Sequence, residues 1–300
     1  MRREGALEAT TEWPTVALLA CVYLAYGAVT AWAAYLTPWL ALPLLTLIIT
    51  LHSSLQHEVL HGHPFRHQGL SEAAVFPAVG LAIPYRRFRD THLKHHRERF
   101  LTDPVEDPES NYVDPAVWVR LGPVARGLLR FDRTLAGHML VGPAIGLWRL
   151  YRDDARAMAA ADRSVLGAWG LHALGLVPVI AWWLGAATLP AWAYLLAAYG
   201  GVSLLKVRTF LEHRAHADGP ARSVIVEGGR FWAFLFLNNS LHAVHHAHPT
   251  VAWYRLPALY RENAAAFLER NGGYRYGGYG DVFRRYLLRA KDPVAHPLMG

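Results

Sequence analysis

Two long apolar stretches set the plan of this chain. Residues 14–65 and 164–205 contain no Lys or Arg, and Glu58 is the only acidic residue in either. Each is long enough to cross a bilayer twice, at roughly 20 residues per crossing. The first predicts helices over about 15–36 and 39–55, with Thr37 and Pro38 marking the turn. The second predicts helices over about 164–187 and 191–205, joined near Thr188-Leu189-Pro190. The expected architecture is all-α: one membrane domain over residues 1–300, with four transmembrane helices in two hairpins and a helical cap from 56–163 and 206–300.

Between the hairpins, residues 71–84 and 137–148 are apolar but too short to span, and both contain Pro and Gly, which predicts re-entrant or interfacial pieces. Arg-rich runs over 85–99 and 151–163 suit helices at the membrane surface. Residues 101–109 hold two Pro and four carboxylates and predict an ordered loop. The glycine-rich run from Asn271 (NGGYRYGGYG) lacks the preceding buried strand that a nucleotide-binding loop needs.

Charge then gives the orientation. All 30 Lys and Arg fall in residues 1–13, 66–163 and 206–300. The excess of basic residues on cytoplasmic segments puts both hairpin turns away from the cytoplasm and the rest of the chain towards it. The net charge of +7 suits anionic lipid headgroups, and without a basic recognition motif nucleic acid is not an expected partner. The acidic residues before the first apolar segment predict a retained helix and not a cleaved signal. Cys21, the only Cys, excludes an intrachain disulfide and a Cys-ligated cluster, and is expected to be a small buried hydrophobe.

The chemistry lies in the histidines, 17 in 300 residues. Three groups have helical spacing: His57 and His61 (HEVLH), His92, His95 and His96 (HLKHH), and His242, His245 and His246 (HAVHH). Residues three or four apart share a helix face, so each group can aim its imidazoles at one point. Eight imidazoles exceed what one five- or six-coordinate ion can use, so two ions in one pocket is the economical solution, with ligand type alone allowing iron, zinc, copper or nickel. His213, after Glu212 at the end of the fourth apolar segment, is a ninth candidate, with His216 as its rival. Glu212, Asp90, Asp103, Asp107, Glu109, Asn238 and Asn239 stand close enough in sequence to orient imidazoles. His52 and His63 face elsewhere and are expected to be structural, His172 to be hydrogen-bonded between helices, and His67, His138, His248 and His296 to stand outside any cluster.

These motifs resemble those of the integral-membrane fatty acid desaturase and hydroxylase superfamily, which includes alkane hydroxylases and carotenoid ketolases. The likeness continues past the histidines, in LTDPVEDPES after the second group, FLEHRA before the third, and NNSLHAVHHAHPTVAWYRLP around it, and covers about residues 40–260. It implies two iron ions held by His57, His61, His92, His95, His96, His242, His245 and His246, with His213 as the lone histidine between the second and third groups. It also implies dioxygen as oxidant, a lipid substrate with a long apolar chain, and electrons from a ferredoxin, cytochrome or reductase. Ala252 stands before Trp253 where relatives often have Pro, and the first group reads His-Glu where many read His-Asp. The expected activity is desaturation of a fatty-acyl or related chain, with hydroxylation or ketolation as the alternative.

Two further classes compete. HEVLH is also a literal HExxH, in which two histidines bind zinc and Glu58 would be the general base of a membrane metalloprotease. A metal transporter is the third reading, weakened by the lack of carboxylates inside the apolar helices.

Overall fold

A computed structural model describes residues 11–299. Most of the N-terminal segment on which the retained-helix expectation rests lies outside them. The principal helices are α1 (Trp13–Ala31), α2 (Pro38–Leu60), α3 (Tyr85–Arg97), α4 (Gly142–Ala159), α5 (Arg163–Gly185), α6 (Ala191–Thr209), α7 (His242–Ala247) and α8 (Leu256–Arg270), with shorter helical turns between them.

Three of these, α1, α2 and α5, are long and apolar enough to cross a membrane. The fourth expected span, α6, does not reach that apolar content. It packs along α2 more extensively than any other helix pair does, and keeps Trp192, Leu195 and Leu196 exposed on its other side. Small residues permit this closeness: a Cβ on Gly201 would stand 2.7 Å from Ile49 Cγ2, and one on Gly200 3.0 Å from Thr46 Oγ1. Two helices also run past the apolar stretches that predict them. α2 continues to Leu60 and α6 to Thr209, because backbone hydrogen bonding carries a helix beyond the point where apolar composition ends.

Both hairpin turns lie at one end of the helices. Thr188 ties them together, its N–H donating to Thr30 O at 2.9 Å and its hydroxyl to Ala31 O at 2.9 Å. The core at that end is built from Tyr26, Leu45, Ile49, Val179, Ala193 and Ala197. Cys21, expected to be buried, is exposed on the outer face of α1.

Of residues 71–84, read from the sequence as interfacial or re-entrant, 71–74 end a short helix (Gln68–Ala74) and 75–84 form a non-helical strap against α5 and α6. Its backbone is satisfied by protein: Ala78 N–H donates to Gly175 O at 3.0 Å, the Tyr194 hydroxyl to Val79 O at 3.0 Å, and His172 Nε2 to Leu81 O at 2.8 Å. A side chain on Gly175 would collide with Phe76 O, 2.6 Å from its Cβ position. Residues 137–148 break between the helical turn Leu135–Leu140 and α4, and the Ser203 hydroxyl caps Met139 O at 2.7 Å.

One feature departs from the all-α expectation. β1 (Ile225–Val226) pairs in parallel with β2 (Arg275–Tyr276). The glycine-rich run supplies β2, and glycine lets the two backbones approach just beyond the pair, since a Cβ on Gly228 would stand 2.2 Å from Gly277 O.

Candidate metal centre

α2 begins at Pro38, whose fixed φ suits the first helical position. Its far end presents His57 and, at the C-cap, His61. At 1.5 Å per residue His57 lies about 29 Å from the helix start, close to the thickness of a hydrocarbon core. α3 brings His92, His95 and His96 in its last turns, α7 brings His242, His245 and His246, and the chain leaving α6 brings His213.

The nine imidazoles divide into two groups, His57, His61, His92, His96 and His245 in one and His95, His213, His242 and His246 in the other. Within each group one nitrogen per residue lies within 4.8 Å of every other. Helix geometry sets the division. On a helix, the residue four along is offset by about 40° and the residue three along by about 60° the other way. The pairs His57/His61, His92/His96 and His242/His246 therefore stay together, while the middle residues His95 and His245 each cross to the other group.

In the larger group the Nε2 atoms of His57 and His92 are 3.0 Å apart, those of His92 and His96 3.0 Å, and those of His96 and His245 3.1 Å. In the smaller group His213 Nε2 stands 3.0 Å from the Nε2 atoms of both His95 and His242. Several rings are anchored through the opposite nitrogen. His92 Nδ1 donates to Glu109 Oε1 at 2.9 Å, His95 Nδ1 to Asp107 Oδ1 at 2.8 Å, and His242 Nδ1 to Asn239 Oδ1 at 3.0 Å. A neutral ring with its proton on Nδ1 has a bare lone pair on Nε2, so these partners assign acceptor character to the converging atoms of His92 and His242, whereas His95 must give up a second proton to join them. Ser223 Oγ lies 3.2 Å from His213 Nδ1, across a short bridge between the two residues.

Electrostatics keeps most of this set uncharged. Burial first, and neighbouring imidazoles second, drive His213, His242, His245 and His246 well below the usual imidazole range and His96 to about 3. His95 differs. Burial opposes its charge, but Glu109 and Asp107 outweigh burial and raise it to about 9. Glu109 is half-buried, and His92 and His95 hold its carboxyl far below the usual range.

A cation fits these residues. His61 Nε2 and His246 Nε2 are buried with no hydrogen-bond partner, a deficit of about 1–3 kcal/mol each in a protein interior. Neutral imidazoles that present lone pairs to one point are metal donors. In a six-coordinate shell with metal–nitrogen bonds of about 2.1 Å, adjacent donors stand about 3.0 Å apart, which is the spacing seen here.

The family model described as fatty acid desaturase matches residues 30–278. The chain belongs to the fatty acid desaturase family. No curated protein is significantly similar to it in sequence. Membership implies an oxidoreductase with a lipid substrate in a membrane context, and the family is known for iron-binding histidine clusters. The two histidine groups of this desaturase-family chain can each hold a metal ion.

The other expected residues fall into place around them. His216 is exposed and bonded to the turn at Asp218, so it is not part of either group, whereas His213 is. Glu212 sits beside His242, with Oε1 3.6 Å from its Nδ1, and pairs with Arg208 at 2.8 Å. Asp90 pairs with Arg89 and Asp103 caps the loop N–H groups of Val105 and Glu106, so neither reaches the site. Asn238 donates to Trp253 O, while Asn239 Nδ2 stands 3.3 Å from His57 Nε2. His52 meets the Tyr23 hydroxyl at 3.1 Å, and His63 meets Glu12 at 3.0 Å. Ser223 was invisible in the sequence: it belongs to no motif, and only the chain path brings it to His213.

Glu58 faces away from the histidines. It accepts the Trp253 N–H at 2.8 Å and lies with Glu12 and His63 in a separate group. The HExxH reading therefore lacks its base.

Proposed function

We propose that this protein is a membrane diiron oxidoreductase that desaturates a fatty-acyl or related lipid chain, using dioxygen and an external electron donor. The observation that carries the reading is the division of nine histidines into groups of five and four, each a complete set of donors for one ion. His57, His61, His92, His96 and His245 would hold one iron and His95, His213, His242 and His246 the other. Bound iron supplies the oxidising power to remove hydrogen from an unactivated C–H bond.

The chain's own residues do the rest. Asp107, Glu109, Asn239 and Ser223 fix the rings, so that ligand atoms are in place before an ion arrives. Neutral His96, His213, His242, His245 and His246 bring no positive charge against a cation. Burial of His57, His92, His95, His242 and His245 limits the access of water to both groups, and the protein decides which carbon of the lipid is presented. For desaturation the balance is two hydrogens removed from adjacent carbons, one dioxygen reduced to two waters, and two electrons with two protons drawn from the donor and solvent. Hydroxylation or ketolation begins with the same C–H cleavage, and product analysis separates them. The basic faces of the cap suit an acidic ferredoxin, cytochrome or reductase as donor. The four-span topology, the single domain over 1–300 and a cytoplasmic site belong to the same proposal.

The test is metal content with product. Protein reconstituted anaerobically with iron should hold close to two ions per chain. His95→Ala and His245→Ala, one from each group, should lose metal and oxygen-dependent lipid product together. One zinc per chain, with both variants still active, overturns the reading.

A further inference from the structure

A cavity of about 260 Å³ opens to solvent beside the four-histidine group. Its wall includes Arg99, Arg222, Arg270, Phe267 and His246. The three arginines come from three separate segments: Arg99 follows α3, Arg222 lies in a turn of 3-10 helix, and Arg270 ends α8. Among the described residues none of the three has a carboxylate oxygen within 4.0 Å. Arg222 is held in position by the backbone, donating from Nε to His216 O at 2.8 Å and from Nη1 to Leu101 O at 3.0 Å. The wall's one carboxylate, Glu98, is occupied by the Phe100 N–H at 3.0 Å.

Three arginines line this one space, Arg99 and Arg270 exposed to solvent and Arg222 bound by backbone carbonyls, against a single carboxylate, so the wall lacks a full counter-charge. A guanidinium fork matches oxyanions, and the net excess of about two positive charges matches a phosphate monoester, which carries about −1.5 to −2 at neutral pH, better than a carboxylate. At about 30 Å³ per water the space is equivalent to eight or nine waters, more than a phosphate alone requires. Ala243, Ala247 and Phe267 supply an apolar surface for the remainder.

We infer that this cavity binds the phosphate group of a small molecule, with Arg99, Arg222 and Arg270 as its ligands and His246 in the adjoining wall. Ser223, the partner of His213, shares that wall, so the bound anion adjoins one residue of the smaller histidine group, His246, and the hydrogen-bond partner of another. The site is independent of which metal the histidines hold.

The test is calorimetric titration of the purified full chain in neutral detergent, metal-free and metal-loaded, with inorganic phosphate, hexyl phosphate and hexanol as probes. One phosphate probe should bind per chain in both preparations. Arg99→Gln/Arg270→Gln should weaken it about tenfold or more with an unchanged melting temperature, because neither side chain makes a hydrogen bond within the described protein. Arg222→Gln removes two backbone contacts as well and should lower both affinity and melting temperature. Hexyl phosphate binding more tightly than phosphate, with hexanol unable to compete, supports the site with an organic ester as its source; equal affinities support it with free phosphate. Unchanged affinities in the double variant overturn the inference. So does the absence of binding by either phosphate below about 10 mM, which assigns the arginines to an acidic protein surface instead.

Discussion

At the scale of single residues, Glu58 separates the enzyme classes. As a protease base it would have to face the metal, and its loss would abolish turnover with metal retained. Its carboxylate instead accepts the Trp253 N–H and lies beside His63. On the proposed diiron reading, Glu58→Gln should therefore keep its metal and oxygen-dependent lipid product, and lower stability by about 1–3 kcal/mol through the weakened buried contact. Loss of all turnover in a fully metallated, stable variant would restore the protease. The histidines make a second prediction, about pH. His96, His213, His242, His245 and His246 all titrate below the free imidazole value of about 6.5. Between about pH 5 and 7 the unfolded chain then binds more protons than the folded one, so stability of the metal-free protein rises with pH through that window and is lost on acidification. His95, raised to about 9, works the other way: its contribution is complete below 6.5 and lost as pH climbs through 9. Five groups against one make the acid side steeper. Denaturation midpoints in detergent should be lower at pH 5.5 than at 7.5, and the reverse order would count against neutral imidazoles.

At the scale of elements, the contact between α2 and α6 sets the distance between the first histidine pair and His213. Gly201 lies at this contact, where a Cβ would stand 2.7 Å from Ile49 Cγ2 and 3.6 Å from the Thr50 amide nitrogen. Gly201→Val should cost about 1–3 kcal/mol by overpacking and, by moving α6 outward, lower iron content as well as melting temperature. A variant that melts lower but still binds two irons would show that the site is positioned by α3 and α7 alone. Much at this scale was legible beforehand. The apolar runs gave α1, α2 and α5; the short apolar pieces 71–84 and 137–148 were legible as too short to span, but not where helix stops and starts within them. The pairing of 225–226 with 275–276 was not, since two-residue strands leave no periodic signal and arise from packing.

For the whole molecule, topology is the decisive quantity. The two turns meet at Thr188, while the nine histidines gather at the opposite ends of α2 and α6. Cysteine labelling in intact cells, in a background lacking Cys21, should place residues 37 and 188 outside and residues 100, 160 and 290 in the cytoplasm. Labelling of residues 100 and 188 from the same side would rule out the four-span arrangement.

The sequence by itself determined the helices, their apolar faces and the three histidine groups, because those follow from local periodicity: side chains three and four apart share a face whatever surrounds them. It also carried the family. Helix geometry keeps each i, i+4 pair together; tertiary structure decided how the pairs, the two middle histidines and His213 are shared between two sets. Four separate segments meet there, and which middle histidine crosses to which group depends on how α3 and α7 are rotated about their axes against α2. Such rotations are fixed by packing between residues far apart in the chain, as are the choice of His213 over His216, the turning of Glu58 away from the histidines and the arrival of Ser223. Local sequence carries the spacing of ligands along one helix; the space between helices is set by the core that holds them together.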